Sequence, residues 1–135
     1  MKQVYKILLA GLTWATIITG CSKEKDVQEE GTQDPPVLAG TYNGNFSRTG
    51  MATTDITIAF TGNNFSGSST AAYPVICNGT FTINTNQVSF TNACNETGAI
   101  VLNGTYNYTL LRGATFRIWR TNNNITDEYT ITLAR

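Results

Sequence analysis

Apolar and polar positions alternate along most of the chain after Val37, so the apolar period is two and not the 3.6 of a helix. Turn signals rich in Gly, Asn, Ser and Pro divide the alternation into eight runs. The neighbours of the apolar residues are mostly Thr, Asn and Ser, which predicts that one face of each strand is exposed to solvent. The inward candidates are Leu38, Tyr42, Phe46, Ile56, Ile58, Phe60, Phe65, Val75, Phe81, Ile83, Val88, Phe90, Ile100, Leu102, Tyr106, Tyr108, Leu110, Phe116, Ile118, Tyr129, Ile131 and Leu133.

Eight sequential antiparallel strands with one apolar face predict an all-β, closed up-and-down barrel, which also removes exposed sheet edges. A two-sheet β-sandwich satisfies the same alternation and stays open as the alternative. Short connections favour the barrel, because a Greek-key sandwich needs a long return. Gly40-Thr41-Tyr42 recurs as Gly104-Thr105-Tyr106, with a glycine two positions before an inward ring. The missing side chain lets a strand coil and leaves room for the ring.

A central hairpin is predicted to carry a disulfide between Cys77 and Cys94. If residues 85–86 form a two-residue turn, Phe81 pairs with Phe90 and Cys77 pairs with Cys94. The cysteines then occupy a non-hydrogen-bonded position, where side chains are closer, and a disulfide fits there. An oxidising compartment is expected for such a pair.

The N-terminus has the features of a secretory signal. Lys2 and Lys6 precede an uncharged stretch, residues 7–22, which is too short to span a bilayer comfortably. Ile18-Thr19-Gly20-Cys21 resembles the lipobox of bacterial lipoproteins, in which the cysteine is acylated and becomes the mature N-terminus. The resemblance implies a signal peptide over residues 1–20 and lipidation at Cys21, which would attach the protein to a membrane.

Residues 21–36 are predicted to be a disordered, acidic tether that ends in Pro35-Pro36. The folded domain is therefore expected over residues 37–135. Ser22-Lys23-Glu24-Lys25-Asp26 resembles the export signal that Bacteroidota lipoproteins carry after their cysteine. This second resemblance implies a lipid-anchored position in the outer membrane or at the cell surface.

The folded domain resembles the lipocalin-like barrels of small Bacteroidota lipoproteins. Gly40-Thr41-Tyr42 stands where a lipocalin has Gly-x-Trp at the start of its first strand. The resemblance implies that Arg112 or Arg120 is the late-strand arginine that packs on the ring of Tyr42.

Charge and composition exclude several function classes. Nine Lys and Arg balance nine Asp and Glu, which argues against a nucleic-acid partner because a phosphate-binding face needs a basic excess. The chain has no histidine, so Ser-His and Cys-His catalysis and His-rich zinc sites are excluded. The residues show no nucleophile-base pair, and the sequence predicts a protein without catalysis, cofactor or metal.

Four tyrosines and one arginine are the candidate ligand-binding residues. Eight-stranded barrels either hold one small ligand or fill themselves with side chains. In the first case the inward tyrosines would supply apolar walls with hydroxyl groups, and Arg120 would receive a ligand carboxylate. In the second case the rings are ordinary core, and Arg120 pairs with Asp127 or Glu128. The four tyrosines are Tyr42, Tyr106, Tyr108 and Tyr129.

Arg117 and Trp119 lie two positions apart on the outward face of the same predicted strand. An exposed pair of this kind contacts a partner or sugar, or the arginine simply lies over the indole as a cation–π pair. The sequence thus leaves two hypotheses. The first is a lipid-anchored envelope protein that binds a small hydrophobic or amphipathic ligand without catalysis. The second is a packed structural or interaction module with an envelope protein as its partner.

Overall fold

The structure, a computed structural model, describes residues 34–94 and 96–135. The predicted signal peptide, the predicted acylation site at Cys21 and the predicted tether as far as residue 33 lie outside the described residues. No helix within the described ranges is long and apolar enough to cross a membrane. The regular elements are β1 (Gly40–Arg48), β2 (Thr54–Thr61), β3 (Asn64–Ser69), β4 (Asn78–Ile83), β5 (Gln87–Asn92), β6 (Gly104–Leu111), β7 (Thr115–Asn122) and β8 (Ile125–Leu133).

The eight strands form a closed barrel in which each strand pairs antiparallel with the next. The pairing of β1 with β8 completes the ring. The domain is therefore an all-β, lipocalin-like up-and-down barrel, and the predicted barrel is confirmed over the sandwich. Closure gives each of the eight strands a partner on both sides, which protects this Thr- and Asn-rich chain from edge-to-edge association.

The register of the central hairpin follows the prediction. Phe81 lies opposite Phe90, and Ile83 lies opposite Val88. The amide of Asn84 donates to the carbonyl oxygen of Gln87 at 2.9 Å, so the turn is tight. The predicted disulfide between Cys77 and Cys94 is present, with the Cα atoms 5.9 Å apart. It lies immediately beyond the paired residues of β4 and β5.

Two connections, residues 70–77 and 93–103, are longer than the turn signals predict. The disulfide joins them, and so does an isolated parallel bridge between Val75 and Val101. The predicted inward position of Val75 is wrong, because Ile76 is the buried residue and Val75 is half-buried. Alternation assigns a face only within a paired strand, and this segment has left the ladder.

The barrel has two ends with different coverings. The entry end is where the chain enters at Gly40 and where the turns after β2, β4 and β6 and the end of β8 lie. The capped end carries the turns after β1 and β7 and the two long connections 70–77 and 93–103. The amide of Val75 donates to the carbonyl of Ile100 at 2.7 Å, and that of Leu102 donates to the carbonyl of Val75 at 3.1 Å. Leu102 and Ile76 are buried, so these connections extend the core across that end.

Buried side chains from all eight strands fill the centre of the barrel. Most of the predicted inward positions are buried, but Leu110 and Leu133 are exposed. Both lie near the end of their strands at the entry end, where inward alternation continues but no opposing residue covers the side chain. Ile83, Ile100 and Tyr108 are only partly buried and pack against the core.

The glycines of the repeated tripeptide have a backbone reason of their own. Gly40 and Gly104 adopt φ of +94° and +90°, a region that favours glycine. Gly79, which also stands two positions before an aromatic residue, is needed for a different reason: an added Cβ would lie 2.0 Å from the carbonyl oxygen of Thr91 and 2.8 Å from Cε1 of Phe65. A sequence pattern of Gly before an aromatic thus has two physical origins in one barrel.

Candidate functional site

Three of the four predicted ligand-binding tyrosines are part of the packed core. The rings of Tyr106 and Tyr129 meet edge to face at 5.6 Å, and Tyr129 lies 4.8 Å from Phe46. Tyr42 packs against Phe60 at 5.5 Å between ring centroids. Edge-to-face pairs at these distances are favourable contacts between aromatic rings. The aromatic rings therefore contact one another across the space in which the sequence predicted a possible cup.

Tyr108, the fourth tyrosine, lies apart from the other candidates at the entry end. It is half-buried, and its hydroxyl lies 2.7 Å from the carbonyl oxygen of Asn84 and 2.9 Å from that of Thr85, to which it donates. It lines a cavity of about 340 Å³ together with Pro36 and Leu110. The structure thus separates Tyr108 from the three buried tyrosines.

A row of charged side chains occupies the capped end. Arg48 of β1, Asp127 of β8 and Arg120 of β7 are direct partners across neighbouring strands. Each shares the inward side of its strand with a core residue two positions away. Arg48 follows Phe46, Asp127 precedes Tyr129, and Arg120 follows Ile118. We call these three residues the mouth triad. Sequence reasoning named Arg120 and its partner Asp127 but missed Arg48, whose spacing from Phe46 was the available signal.

Asp127 holds both arginines of the mouth triad. Nε of Arg48 donates to Oδ1 of Asp127, and Nη2 of Arg48 donates to Oδ2 at 2.7 Å, a bidentate pair. Nε and Nη2 of Arg120 donate to Oδ2 at 3.2 Å and 3.3 Å. The side chain of Asp127 is 5% exposed, so its carboxylate depends on these guanidinium groups in place of water. Two cations share one anion, and the mouth triad carries a net charge of +1.

The balance of burial and charge sets the protonation of Asp127. Burial acts to raise the pKa of the carboxyl, but the hydrogen bonds and charge of Arg48, followed by those of Arg120, outweigh it. The pKa of Asp127 is therefore lowered, and the carboxylate stays ionised at neutral pH. The same hydrogen bonds raise the pKa of Arg48, although its own desolvation acts in the opposite direction.

Arg120 lies over an aromatic ring, but the ring is that of Tyr106. The guanidinium carbon is 4.5 Å from the centroid of that ring, and Nη1 donates to the carbonyl oxygen of Asn103 at 2.7 Å. The implied packing of Arg120 on Tyr42 is wrong, and Arg112 is exposed in the turn after β6. The physical reason is register: Tyr42 is near the entry end of β1, whereas Arg120 is near the capped end of β7.

Two buried hydroxyl groups lie beneath the mouth triad. The hydroxyls of Tyr106 and Tyr129 are close enough for each to shift the pKa of the other. Neither has a hydrogen-bond partner of normal geometry among the described residues. Burial raises the pKa of Tyr106 and raises that of Tyr129 well above the ordinary value. A buried hydroxyl without a partner is destabilising.

A cavity of about 360 Å³ opens at the mouth triad. All three members of the triad line it, as do side chains from the β7–β8 turn, in which Asn123 and Asn124 have positive φ of 49° and 62°. Asparagine tolerates this conformation, which the tight turn between two twisted strands requires. The lining residues are Arg48, Arg120, Asn122, Asn123, Ile125 and Asp127.

On the outer wall, the guanidinium carbon of Arg117 lies 4.9 Å from the ring centroid of Trp119. Nη2 of Arg117 also donates to Oε2 of Glu128 at 2.7 Å. Trp119 is half-buried and lies between Asn107 of β6 and Glu128 of β8 in the register. The structure therefore brings Arg117 and Trp119 together as a cation–π pair on the outer surface.

No family model, no curated protein and no solved structure matches the chain. In residues 34–94 and 96–135 there is also no group of three or more side chains of the metal-ligating types.

Proposed function

We propose that the protein is a lipid-anchored module of the bacterial envelope that acts through its surface and not through an internal ligand. The observation that carries this proposal is the packing of the barrel interior by aromatic side chains. Tyr42, Tyr106 and Tyr129 are each at most 3% exposed and contact neighbouring rings. A lipocalin-type cup would need this space to be open.

The energetic argument concerns what an internal ligand would have to displace. Ligand pockets for small organic molecules have volumes of roughly 300–1,000 Å³. The rings of Phe60, Phe90 and Tyr106 contact one another in a contiguous cluster. To open such a volume here, rings of this cluster would have to leave the core. Removing one large aromatic side chain from a core costs about 3–5 kcal/mol. Displacing several would cost most of the stability of a domain of this size.

The anchor and the location rest on the sequence. Lipidation at Cys21 after the lipobox supports attachment to the outer membrane, and the residues that follow support exposure at the cell surface. A tethered barrel that acts through its surface needs an accessible contact region. Arg117 and Trp119 supply one, because an aromatic and an arginine are the residue types that most often carry binding energy in protein interfaces.

Native mass spectrometry tests the packed interior. The chain is purified from envelope membranes and measured under native conditions and again after denaturation. We expect the same covalent mass in both, two hydrogens lighter than the reduced chain and heavier by the acyl groups on Cys21. A small molecule that is retained under native conditions and released on denaturation would overturn the packed-module proposal.

A crosslinking pair tests the contact region. A photoreactive amino acid replaces Trp119 in one variant and Thr57, on the outer side of β2, in the control. We expect a discrete adduct with one envelope protein from position 119 and none from position 57. Equal crosslinking from both positions would contradict a specific contact region at Trp119.

A second candidate function is the binding of an amphipathic ligand through its anionic group at the mouth triad. The cavity of about 360 Å³ between Arg48 and Arg120 favours it, because two guanidinium groups there share a single carboxylate. A carboxylate or phosphate would neutralise the remaining positive charge.

Calorimetric titration with dodecanoate tests this second function. Removal of one charged hydrogen-bond donor lowers affinity by about tenfold or more, so Arg120→Gln should weaken binding by that factor. Arg117→Gln, on the outer side of the same strand, is the matched control and should leave the affinity unchanged. Absence of binding by the unmodified protein would overturn the second function and leave the packed module.

A further inference from the structure

We propose that the entry end of the barrel docks onto an anionic lipid surface. The inference rests on the proposed acylation of Cys21 and adds a contact that the acyl chains alone do not require. In this arrangement the barrel stands on the membrane through the rim formed by Val37, Leu110, Leu111, Leu133 and Arg112, which we call the apolar rim. The capped end and the outer wall then face away from the membrane.

Exposed large apolar side chains are concentrated at the entry end. Val37 is 85% exposed, Leu110 52%, Leu111 45% and Leu133 37%. The capped end has Met51 at 40% and Ile125 at 47%. Scattered apolar residues are ordinary on a protein surface, but four that lie together at one end are typical of an interaction site.

The four apolar residues of the apolar rim lie around one continuous edge. Leu110 and Pro36 line the same cavity, and Val37 follows Pro36 directly. Leu111 pairs with Thr115 across the β6–β7 turn. The amide of Leu133 donates to the carbonyl oxygen of Ala114 in that turn at 3.3 Å. The apolar side chains thus follow the rim from the segment before β1 through the β6–β7 turn to the end of β8.

The charges at this end suit an anionic surface. Arg112 lies in the β6–β7 turn directly after Leu111 of the rim, and Arg135 follows the end of β8. Among the acidic residues that the structure describes, Asp55, Glu96, Asp127 and Glu128 lie on the wall or at the capped end. Asp34 lies at the entry end, where it lines the same cavity as Leu110, so the two arginines there face one carboxylate and leave a positive excess. Each Lys or Arg close to an anionic membrane surface contributes attraction that falls off within a Debye length.

The position of the anchor favours a membrane as the occupant over a second protein. The chain enters the barrel at the apolar rim, and only residues 22–33 separate Cys21 from Asp34, where the described structure begins. Even fully stretched, this length spans at most about 45 Å. A patch held so near a surface meets it at a high effective concentration, so a weakly apolar rim suffices for docking.

Hydroxyl-radical footprinting of the acylated chain on vesicles tests the inference. The vesicles contain phosphatidylglycerol and phosphatidylethanolamine. The reference sample is the same acylated chain, kept monomeric by a low concentration of detergent. We expect slower oxidation of Leu110, Leu111 and Leu133 on vesicles, whereas Met51 and Ile125 oxidise at the same rate in both samples.

Variants sharpen the measurement. Arg112→Gln should reduce the ratio of docked to undocked barrels by about fivefold, the factor that one cation contributes near an anionic surface. The double variant L110S/L111S should abolish the protection of Leu133. Ile125→Ser is the matched control, since it is similarly exposed at the opposite end, and it should leave the protection intact.

The outcomes separate the inference from the anchor on which it rests. A chain that fails to float with vesicles would overturn the lipid anchor and the docking together. A chain that floats but shows no protection of the apolar rim would overturn the docking alone. Protection that appears without vesicles and grows with protein concentration would overturn it in favour of a second copy of the chain.

Discussion

The two ends of the barrel are built on opposite principles. At the capped end, two long connections are joined by the disulfide between Cys77 and Cys94, and the mouth triad is tied by several charged hydrogen bonds. At the entry end, the turns are short and four large apolar side chains are exposed. The charged groups of the mouth triad at the capped end are thus bonded to one another, whereas the apolar side chains of the rim at the entry end are exposed to solvent. Stability is expected to depend on the first, and contact with another surface on the second.

Loss of the disulfide is the largest expected effect and bears on the capped end. Cys77→Ser together with Cys94→Ser should lower the free energy of unfolding by up to about 3 kcal/mol, as expected for a bridge over this sequence separation of 17. The value is an upper bound because the hairpin already holds the two ends together. Urea unfolding measures it, and the reduced natural chain should match the double variant. An unchanged free energy of unfolding would contradict a role of the bridge in stabilising the capped end.

Asp127→Asn should give the second-largest loss in the free energy of unfolding. The substitution leaves two guanidinium groups without their shared anion, and breaking a buried pair costs about 3–5 kcal/mol. Because the arginine side chains are 24% and 34% exposed, we expect a smaller loss of about 2 kcal/mol. Glu128→Gln, which breaks an exposed pair with Arg117, is the control and should leave the free energy of unfolding unchanged. Equal losses from both variants would show that burial of the mouth triad is not what makes it stabilising.

The same carboxylate predicts a dependence on pH. The pKa of Asp127 is lowered in the folded state, so its stabilisation is fully present above the unfolded value of about 4 and is lost as the pH falls through the folded value. The difference in unfolding free energy between the natural chain and Asp127→Asn should therefore be constant above about pH 5 and narrow below about pH 4. Chemical unfolding at a series of pH values measures it. A difference that widens in acid would mean that the pKa of Asp127 is raised.

A pair of tyrosine substitutions compares the two ends directly. Tyr108→Phe, at the entry end, removes a hydroxyl that donates to a backbone carbonyl and should cost about 1 kcal/mol. Tyr129→Phe, beneath the mouth triad, removes a buried hydroxyl without a partner and should leave stability unchanged or raise it. Thermal and urea unfolding of both variants measure the effects. Destabilisation by Tyr129→Phe would indicate that its hydroxyl is hydrogen-bonded in solution.

The smallest effect is expected at the apolar rim. The double variant L110S/L111S changes two side chains that are 52% and 45% exposed, so the free energy of unfolding should shift by no more than about 0.5 kcal/mol. Its effect should appear in vesicle docking and not in stability. A large loss of stability would show that the apolar rim belongs to the core and would remove the contrast between the two ends.

The alternation of the chain was sufficient to predict the eight strands, the register of the central hairpin and the disulfide. Each of these depends on local pairing, in which a period of two assigns every residue to a face. Prediction failed where the chain leaves the ladder, at Val75 and Ile76, and where a strand passes the end of the barrel, at Leu110 and Leu133. In both places burial depends on what another segment covers, which no local pattern contains.

The candidate site shows the same division. The sequence determined that Arg120 shares the inward side of its strand with Phe116 and Ile118, and that Asp127 is a possible partner. Only the tertiary structure decided that Arg48, 79 positions from Asp127, completes the mouth triad, and that Arg120 lies over Tyr106 and not Tyr42. The physical reason is barrel closure. The pairing of β1 with β8 brings the two ends of the domain side by side, and that long-range register sets which charges and rings meet.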